Sequence, residues 1–281
     1  MKYESKDVFE DVPLKFENGV AAIDVVALKG AANAFEEYIS SVEVLLPPSA
    51  EYRDESIFED LMKITVDPNG ASVTAFIDTK KMIWKPEFKP ERTVLVDYNG
   101  TQKRAVSFAG GLVVSSEGTN ITRLPVELED GSIAVMWFAE VTEETLSKVQ
   151  TYELFSLAKK LIGAFQEGTN EKCSKLTVPA QQIDYSRSMG EVKKMNPSID
   201  SILQIFKVAL DETGARVFVE TKMSRFGIPA SKVAVFGSNG PVLFWLTGID
   251  ETKELTPFAV VATTSEAWLD PEKEIDFTLG M

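Results

Sequence analysis

The chain has 281 residues, with 43 acidic and 29 basic side chains and a formal net charge of −14. It contains no histidine and a single cysteine, Cys173. These counts exclude histidine-dependent nucleophilic catalysis, histidine metal sites, an intramolecular disulfide and a thiolate zinc cluster. The acidic balance also argues against a nucleic-acid-binding surface, which needs clustered lysine and arginine.

The length fits one large domain, and no linker or internal repeat divides the chain. We therefore predict a single domain over 1–281, with a divergent helical part over 1–65. The charged start MKYESKDVFEDVP carries no apolar signal-peptide core, and no apolar run is long enough to span a membrane. A cytosolic protein and a mature secreted form remain as alternatives, and we expect no membrane partner.

Apolar periodicity predicts the secondary structure in chain order. Helical spacing predicts helices over 20–38, 56–64, 142–165 and 185–195, and the third begins with a capping box at Thr142. Alternation and apolar runs predict strands at 42–46, 73–77, 94–97, 104–108, 112–115, 121–126, 133–138, 175–179, 205–210 and 241–246. This order predicts an α+β fold that is rich in strands after residue 70 and has few helices.

The link between the last two of these strands is unusually long. It begins with Asp211-Glu212-Thr213-Gly214, continues as an alternating segment and ends in a polar stretch with glycine and proline. Most connections in compact domains are a handful of residues, so a link of this length indicates a functional loop.

Several segments over roughly residues 70–265 resemble, in the same order, those of the serpin superfamily of protease inhibitors. They are Trp84–Phe88 followed by Pro90 and Thr93, Leu124–Leu128 through Ser132–Val135, Lys175–Pro179 with Ile183 and Met189–Val192, Phe206–Gly214, Pro241–Leu246 and Pro257–Val261. The resemblance implies large mixed or antiparallel sheets. The chain departs from the family in its reduced N-terminal helical layer. It also has Phe76 and Ile77 where a polar asparagine beneath the main sheet is expected.

The resemblance further implies a protein that is not an enzyme and needs no cofactor or metal. Its partner would be a protease of the serine or cysteine class, or another protein. After attack on an exposed loop at about 215–235, the loop inserts into the main sheet as an extra strand. The residues implied for the reactive loop are Met223, Ser224, Arg225, Phe226, Gly227, Ile228, Pro229 and Ala230. Those implied for the hinge are Glu212, Thr213, Gly214, Ala215, Val217, Val219 and Thr221.

Two interpretations of the alternating segment stay open. The side chains of Ala215, Val217, Val219 and Thr221 share one face of an extended strand, as insertion into a sheet requires. Alternatively, 215–222 is an amphipathic strand already fixed in a sheet, in a non-inhibitory binding or structural module.

The scissile bond is likewise open. Distance from the hinge favours Ile228-Pro229, whereas Arg225-Phe226 suits a trypsin-like protease. A third class, an enzyme that uses carboxylates alone, has no supporting motif, because the acidic clusters lack calcium-loop spacing.

Overall fold

The computed structural model describes residues 14–38, 44–45, 61–66, 73–98, 100–129, 131–188, 193–194, 203–216, 232–249 and 255–278. Within them lie the helices α1 (Val25–Tyr38), α2 (Glu143–Ser147) and α3 (Glu153–Glu167), and a 3-10 turn at Pro86–Phe88. The strands are β1 (Val20–Ile23), β2 (Val44–Leu45), β3 (Met62–Val66), β4 (Val73–Ile77), β5 (Ile83–Trp84), β6 (Glu91–Tyr98), β7 (Thr101–Phe108), β8 (Gly111–Ser116), β9 (Thr119–Glu127), β10 (Ile133–Glu140), β11 (Glu171–Pro179), β12 (Gln181–Ser188), β13 (Lys193–Lys194), β14 (Leu203–Asp211), β15 (Gly214–Arg216), β16 (Lys232–Val235), β17 (Val242–Thr247) and β18 (Phe258–Thr263).

One large sheet of 11 strands dominates the described residues. Its order is β1-β18-β17-β10-β9-β8-β11-β7-β6, with β16 paired to β11 and β5 paired to β9. The pairs are antiparallel except for β11 with β16, which is parallel. The predicted α+β class, with large mainly antiparallel sheets and few helices, is confirmed.

The centre of the large sheet forms the core. Every residue of β10, β17 and β18 is buried, which is why these segments read as continuous apolar runs. The rings of Trp137 and Trp245 stack with centroids 5.9 Å apart, and Phe165 of α3 meets Trp137 edge-on at 5.3 Å. The apolar stripe that α3 presents to the sheet recurs at helical spacing. It consists of Leu154, Phe155, Ala158, Leu161, Ile162 and Phe165.

A second sheet, in the order β12-β14-β15, carries the region that the sequence singled out. β12 pairs with β14 along its whole length, and β15 folds back on the end of β14. Burial alternates along β14, with Gln204, Phe206 and Val208 buried and Leu203 and Ile205 about 60% exposed. One face of this strand therefore packs on the core and the other faces solvent.

Three predicted helices need correction. The first begins only at Val25, because Val20–Ile23 pairs with β18 as a strand and all four of its residues are buried. The predicted helix at 56–64 is wrong at its described end, where Met62–Val66 forms an antiparallel pair with β4. In this segment the apolar residues fit both helical spacing and alternation, and strand pairing decides between them.

The predicted helix at 185–195 is also wrong where it is described. Gln181–Ser188 pairs with β14, and Ile183 and Tyr185 are buried while Asp184 and Ser186 are exposed. This period of two is masked in the sequence by the polar composition. The helix at 142–165 is present but divided into α2 and α3. Its predicted cap is confirmed, since the Thr142 hydroxyl oxygen accepts the amide N–H of Thr145 at 3.1 Å.

Candidate functional site

The first part of the predicted hinge lies in the tight turn between β14 and β15. Glu212, Thr213, Gly214 and Ala215 are described there. The remaining hinge residues Val217, Val219 and Thr221, and the whole predicted reactive loop Met223–Ala230, lie outside the described residues. The candidate site is therefore the hinge turn, which we define as Asp211–Ala215, together with the side chains that hold it.

The hinge turn is closed by its own side chains. The Asp211 carboxylate oxygen Oδ1 accepts the backbone N–H of Thr213 at 2.7 Å and its hydroxyl at 2.8 Å. This is an Asx turn, in which a short acidic side chain replaces a backbone acceptor. Gly214 follows with φ of +150°, and a Cβ at this position would overlap the carbonyl oxygen of Met82. The sequence Asp-Glu-Thr-Gly thus fits this turn locally, and Gly214 is required by conformation and by space.

After the turn, Ala215 is held from both sides. It pairs with Leu210 of β14, and its N–H donates to the Met82 carbonyl oxygen at 3.1 Å. In return, the Met82 N–H donates to the Ala215 carbonyl oxygen at 2.6 Å. The side chain of Ala215 is fully buried. The start of the predicted hinge is consequently a short strand inserted between β14 and the segment at Met82.

A buried arginine holds the turn through ion pairs with its two acidic residues. Arg104 is fully buried, and its Nη2 lies 2.8 and 2.9 Å from the two carboxylate oxygens of Glu212 and 3.3 Å from Asp211 Oδ2. Its Nη1 donates to the carbonyl oxygen of Lys273 at 2.6 Å. Buried charges of this kind persist because they are paired and hydrogen-bonded. Sequence reasoning missed Arg104, since it lies in a predicted strand more than 100 residues before the turn and no local pattern links them.

Two further contacts anchor the turn to the segment before the 3-10 turn. The indole N–H of Trp84 donates to the carbonyl oxygen of Asp211 at 2.7 Å, and the Lys81 ammonium donates to the Thr213 hydroxyl at 2.8 Å. Trp84 itself is buried against Phe108 with ring centroids 4.9 Å apart. Trp84 was singled out in the sequence by resemblance, and its contact with the turn gives that residue a physical role.

A second polar junction lies against the buried face of β14. Asp24 caps α1, because its carboxylate accepts the N–H groups of Val26 at 3.2 Å and Ala27 at 3.0 Å. Its backbone N–H donates to the side-chain carbonyl of Gln204 at 3.2 Å, and the Gln204 amide donates back to the Asp24 carbonyl. Burial raises the pKa of Asp24 from 3.8 to about 6, although hydrogen bonds from Ala27, Val26 and Ala259 act in the opposite direction.

Sequence reasoning found no polar group beneath the sheet and missed this junction. The available signals were an aspartate directly before a helical run, which is typical of an N-cap, and a glutamine at an inward position of a strand. Asp24 is surrounded by backbone donors and lies at a helix start. These contacts give the carboxyl a structural role as the cap of α1.

Other classes of site gain no support from the described ranges. No group of three or more cysteine, aspartate or glutamate side chains there is arranged to hold a metal ion. Among the helices of the same residues, none has the length and apolar character that crossing a membrane requires. Cys173 is buried.

Comparison with known proteins gives a likeness of fold without a likeness of sequence. No protein-family model matches the chain, and no curated protein does. Among solved structures, the chain is similar to the mouse protein-Z dependent protease inhibitor, at 10% identity and a TM-score of 0.40, over 67% of this chain and 53% of that one. The thermophilic serpin tengpin in its native state is 12% identical with a TM-score of 0.40, over 84% and 63% of the two chains. Maspin is 10% identical with a TM-score of 0.39, over 67% and 55%.

The chain therefore spans less than two thirds of the length of each of these proteins. Similarity at this identity and TM-score shows no function for the chain.

Proposed function

We propose that the protein inhibits a protease by inserting the segment after Arg216 beside β14 once the loop at about 215–235 has been cleaved. The observation that carries this proposal is the register of β15 on β14. Leu210 faces Ala215, and Ala209 faces Arg216, in an antiparallel ladder. If the residues after Arg216 continue this ladder, each of them has a defined partner on β14.

Continuation of the register matches the alternation in the sequence. If the register of β15 continues, Val217 would face Val208, Val219 would face Phe206 and Thr221 would face Gln204. These three β14 residues are buried. Cross-strand partners in an antiparallel ladder point to the same face, so the apolar set of the segment would enter the core. A slip of one residue would place the charged set there instead, and the register is therefore strongly specified.

Insertion in this register would lengthen an existing ladder. β15 already pairs with Ala209–Asp211 on one edge of β14, and β12 pairs with the other edge. Insertion would add backbone hydrogen bonds to the β15 ladder. It would also bury two valines, each contributing roughly 1.5–3 kcal/mol when fully buried. Ile205 and Leu203, which are 62% and 60% exposed, would gain cross-strand neighbours on the outer face.

The test is a search for a covalent complex. The protein is mixed with trypsin-like, subtilisin-like and papain-like proteases, and the products are separated on a denaturing gel and analysed by mass spectrometry. We expect a band at the summed mass with one protease. The mass of the released fragment distinguishes cleavage at Arg225-Phe226 from cleavage at Ile228-Pro229. Cleavage without any adduct across the three classes would contradict inhibition.

A non-inhibitory binding or structural module is the second candidate, and a specific observation favours it. The first hinge residues are already locked, by Arg104 on Glu212 and by the Ala215–Met82 hydrogen bonds. If this lock extends along the chain, loop cleavage should leave the melting temperature unchanged or lower it. An inhibitor of the inserting kind should instead gain stability on cleavage, because the new strand is added only then.

A further inference from the structure

The C-terminal segment Leu269–Phe277, which we call the C-terminal strap, contacts β6, the middle of β7 and the start of β12. Its start is held by backbone hydrogen bonds, from the Arg104 N–H to the Leu269 carbonyl at 2.8 Å and from the Leu269 N–H to the Ala180 carbonyl at 3.0 Å. Farther along, the Arg92 guanidinium contacts the Glu274 carboxylate and the Pro271 carbonyl, both at 2.6 Å. The strap therefore lies along the same side of the molecule as the hinge turn.

Two cationic side chains each contact both the strap and the hinge turn. Arg104 donates to the strap carbonyl of Lys273 at 2.6 Å and binds Glu212 of the turn at 2.8 Å. Lys81 lies 4.1 Å from the ring centroid of Phe277 in the strap and donates to the Thr213 hydroxyl at 2.8 Å. These side chains connect the strap to two neighbouring residues of the turn, Glu212 and Thr213.

We propose that the C-terminal strap is a clamp on the hinge turn, so that the two open and close as one cooperative unit. The reason is the burial of Arg104. Its Nε is already buried without a hydrogen-bond partner among the described residues, and loss of the Lys273 carbonyl would leave Nη1 without its 2.6 Å acceptor. A buried guanidinium that loses an acceptor is destabilised, and it can recover only by moving toward water. Such a movement withdraws its hydrogen bonds from Glu212 and releases the turn.

The clamp can be released because its outer contacts are exposed. The side chains of Glu274 and Asp270 are 74% and 73% exposed in their ion pairs with Arg92 and Lys103. Exposed ion pairs contribute little and are screened by salt. The outer part of the strap is thus expected to open more readily than the core, while the buried Arg104 transmits its opening to the turn.

Amide hydrogen exchange of a chain that ends at Asp270 tests this inference. The truncation keeps the Leu269 hydrogen bonds and removes Lys273, Glu274 and Phe277. We expect exchange in the peptide that covers 211–216 to accelerate by at least about tenfold, while exchange in β17 stays unchanged. The full-length variant Lys273→Ala is the matched control, because it removes a strap side chain but keeps the backbone carbonyl that Arg104 uses.

A point variant distinguishes a local effect on the turn from a general loss of stability. Glu274→Gln in the full-length chain removes the carboxylate that pairs with Arg92 and lies 3.8 Å from Arg104 Nη1, but it keeps the Lys273 carbonyl in place, and we expect a smaller acceleration confined to 211–216. Unchanged exchange of the turn in the truncated chain would overturn the inference. So would an equal acceleration in β17, since this would show global opening in place of a local clamp. The result does not depend on protease inhibition, which the denaturing gel tests separately.

Discussion

The backbones of Met82 and Ala215 exchange two hydrogen bonds, with the amide nitrogen of Ala215 3.1 Å from the Met82 carbonyl oxygen and the amide nitrogen of Met82 2.6 Å from the Ala215 carbonyl oxygen. These residues lie 133 positions apart in the chain. Because this bridge brings two backbones together directly after the turn, the residue before Ala215 has no room for a side chain.

Replacing Gly214 with alanine should therefore lower the free energy of unfolding by about 2–4 kcal/mol. The new Cβ would overlap the Met82 carbonyl, and φ of +150° is unfavourable for alanine. Gly131→Ala is the matched control, since Gly131 has φ of +81° and no atom within 4 Å of an added Cβ. Denaturant unfolding of both variants gives the comparison. Equal losses would show that conformation alone, and not the close approach of Met82, constrains the site.

Glu212→Ala should destabilise the fold by about 1–3 kcal/mol, because hydrogen bonds to charged groups are of this size and Arg104 is fully buried. Glu274→Ala removes a second carboxylate near Arg104, with its Oε2 3.8 Å from Nη1. This carboxylate is 74% exposed. We expect its effect to be clearly smaller, because exposed ion pairs contribute little. Chemical denaturation measures both. A larger loss for Glu274 than for Glu212 would contradict the assigned importance of the buried pair.

The free energy of unfolding should depend on pH through the titration of Asp24. Its pKa is raised to about 6 in the folded state from 3.8, so the stability linked to this group is fully present below pH 3.8 and is lost as the pH rises through about 6. The loss amounts to about 3 kcal/mol.

Asp24→Asn keeps a side chain that can cap α1 and removes the titration. The stability of this variant relative to the natural chain should therefore rise between pH 4 and pH 7.5. Asp184→Asn, at an exposed position of β12, controls for the loss of one negative charge. If the free energies of unfolding of Asp24→Asn and the natural chain change in parallel with pH, the prediction is wrong.

Gln181→Met should raise the free energy of unfolding by about 1–2 kcal/mol. Gln181 is fully buried, and within the part of the chain that the structure describes neither its amide nitrogen nor its amide oxygen has a hydrogen-bond partner. Methionine fills a similar volume without leaving polar atoms unsatisfied. The neighbouring Gln182→Met is the control, because Gln182 accepts the N–H of Asp276 at 3.3 Å and should not gain stability. Thermal unfolding separates the two, and a loss at Gln181 would indicate a polar partner for its amide.

Inhibition by insertion should be sensitive to the face on which a charge is placed. If the segment after Arg216 continues the register of β15, Val217 would face the buried Val208, whereas Phe218 would face the partly exposed Lys207. Val217→Glu should therefore convert an inhibitor into a cleaved substrate, while Phe218→Glu should still form the covalent complex. Gel analysis with the same protease measures the ratio of adduct to cleaved product. Equal behaviour of the two variants would argue against insertion in this register.

The sequence predicts much of the sheet, because the β strands of the core have patterns that depend only on near neighbours. Ile133–Phe138 and Pro241–Leu246 read as buried strands; the first lies within β10 and the second overlaps β17, and every residue of both strands is buried. The cap at Thr142 and the Asp-Glu-Thr-Gly turn are also local, since their hydrogen bonds join residues two or three positions apart. The error at 62–66 arises where an apolar spacing suits both helix and strand, and the error at 185–188 arises because a polar composition hides the alternation of the strand.

By itself, the sequence determined the α+β class, the exclusion of histidine and disulfide chemistry, and the position of the hinge turn, because each depends on composition or on residues close together in the chain. Only the tertiary structure decided that Arg104, Trp84, Met82 and the C-terminal strap converge on that turn. It alone also joined Asp24 to Gln204 across 180 positions. The physical reason is that buried charges and backbone groups need partners, and the fold supplies those partners from distant segments that no local pattern identifies.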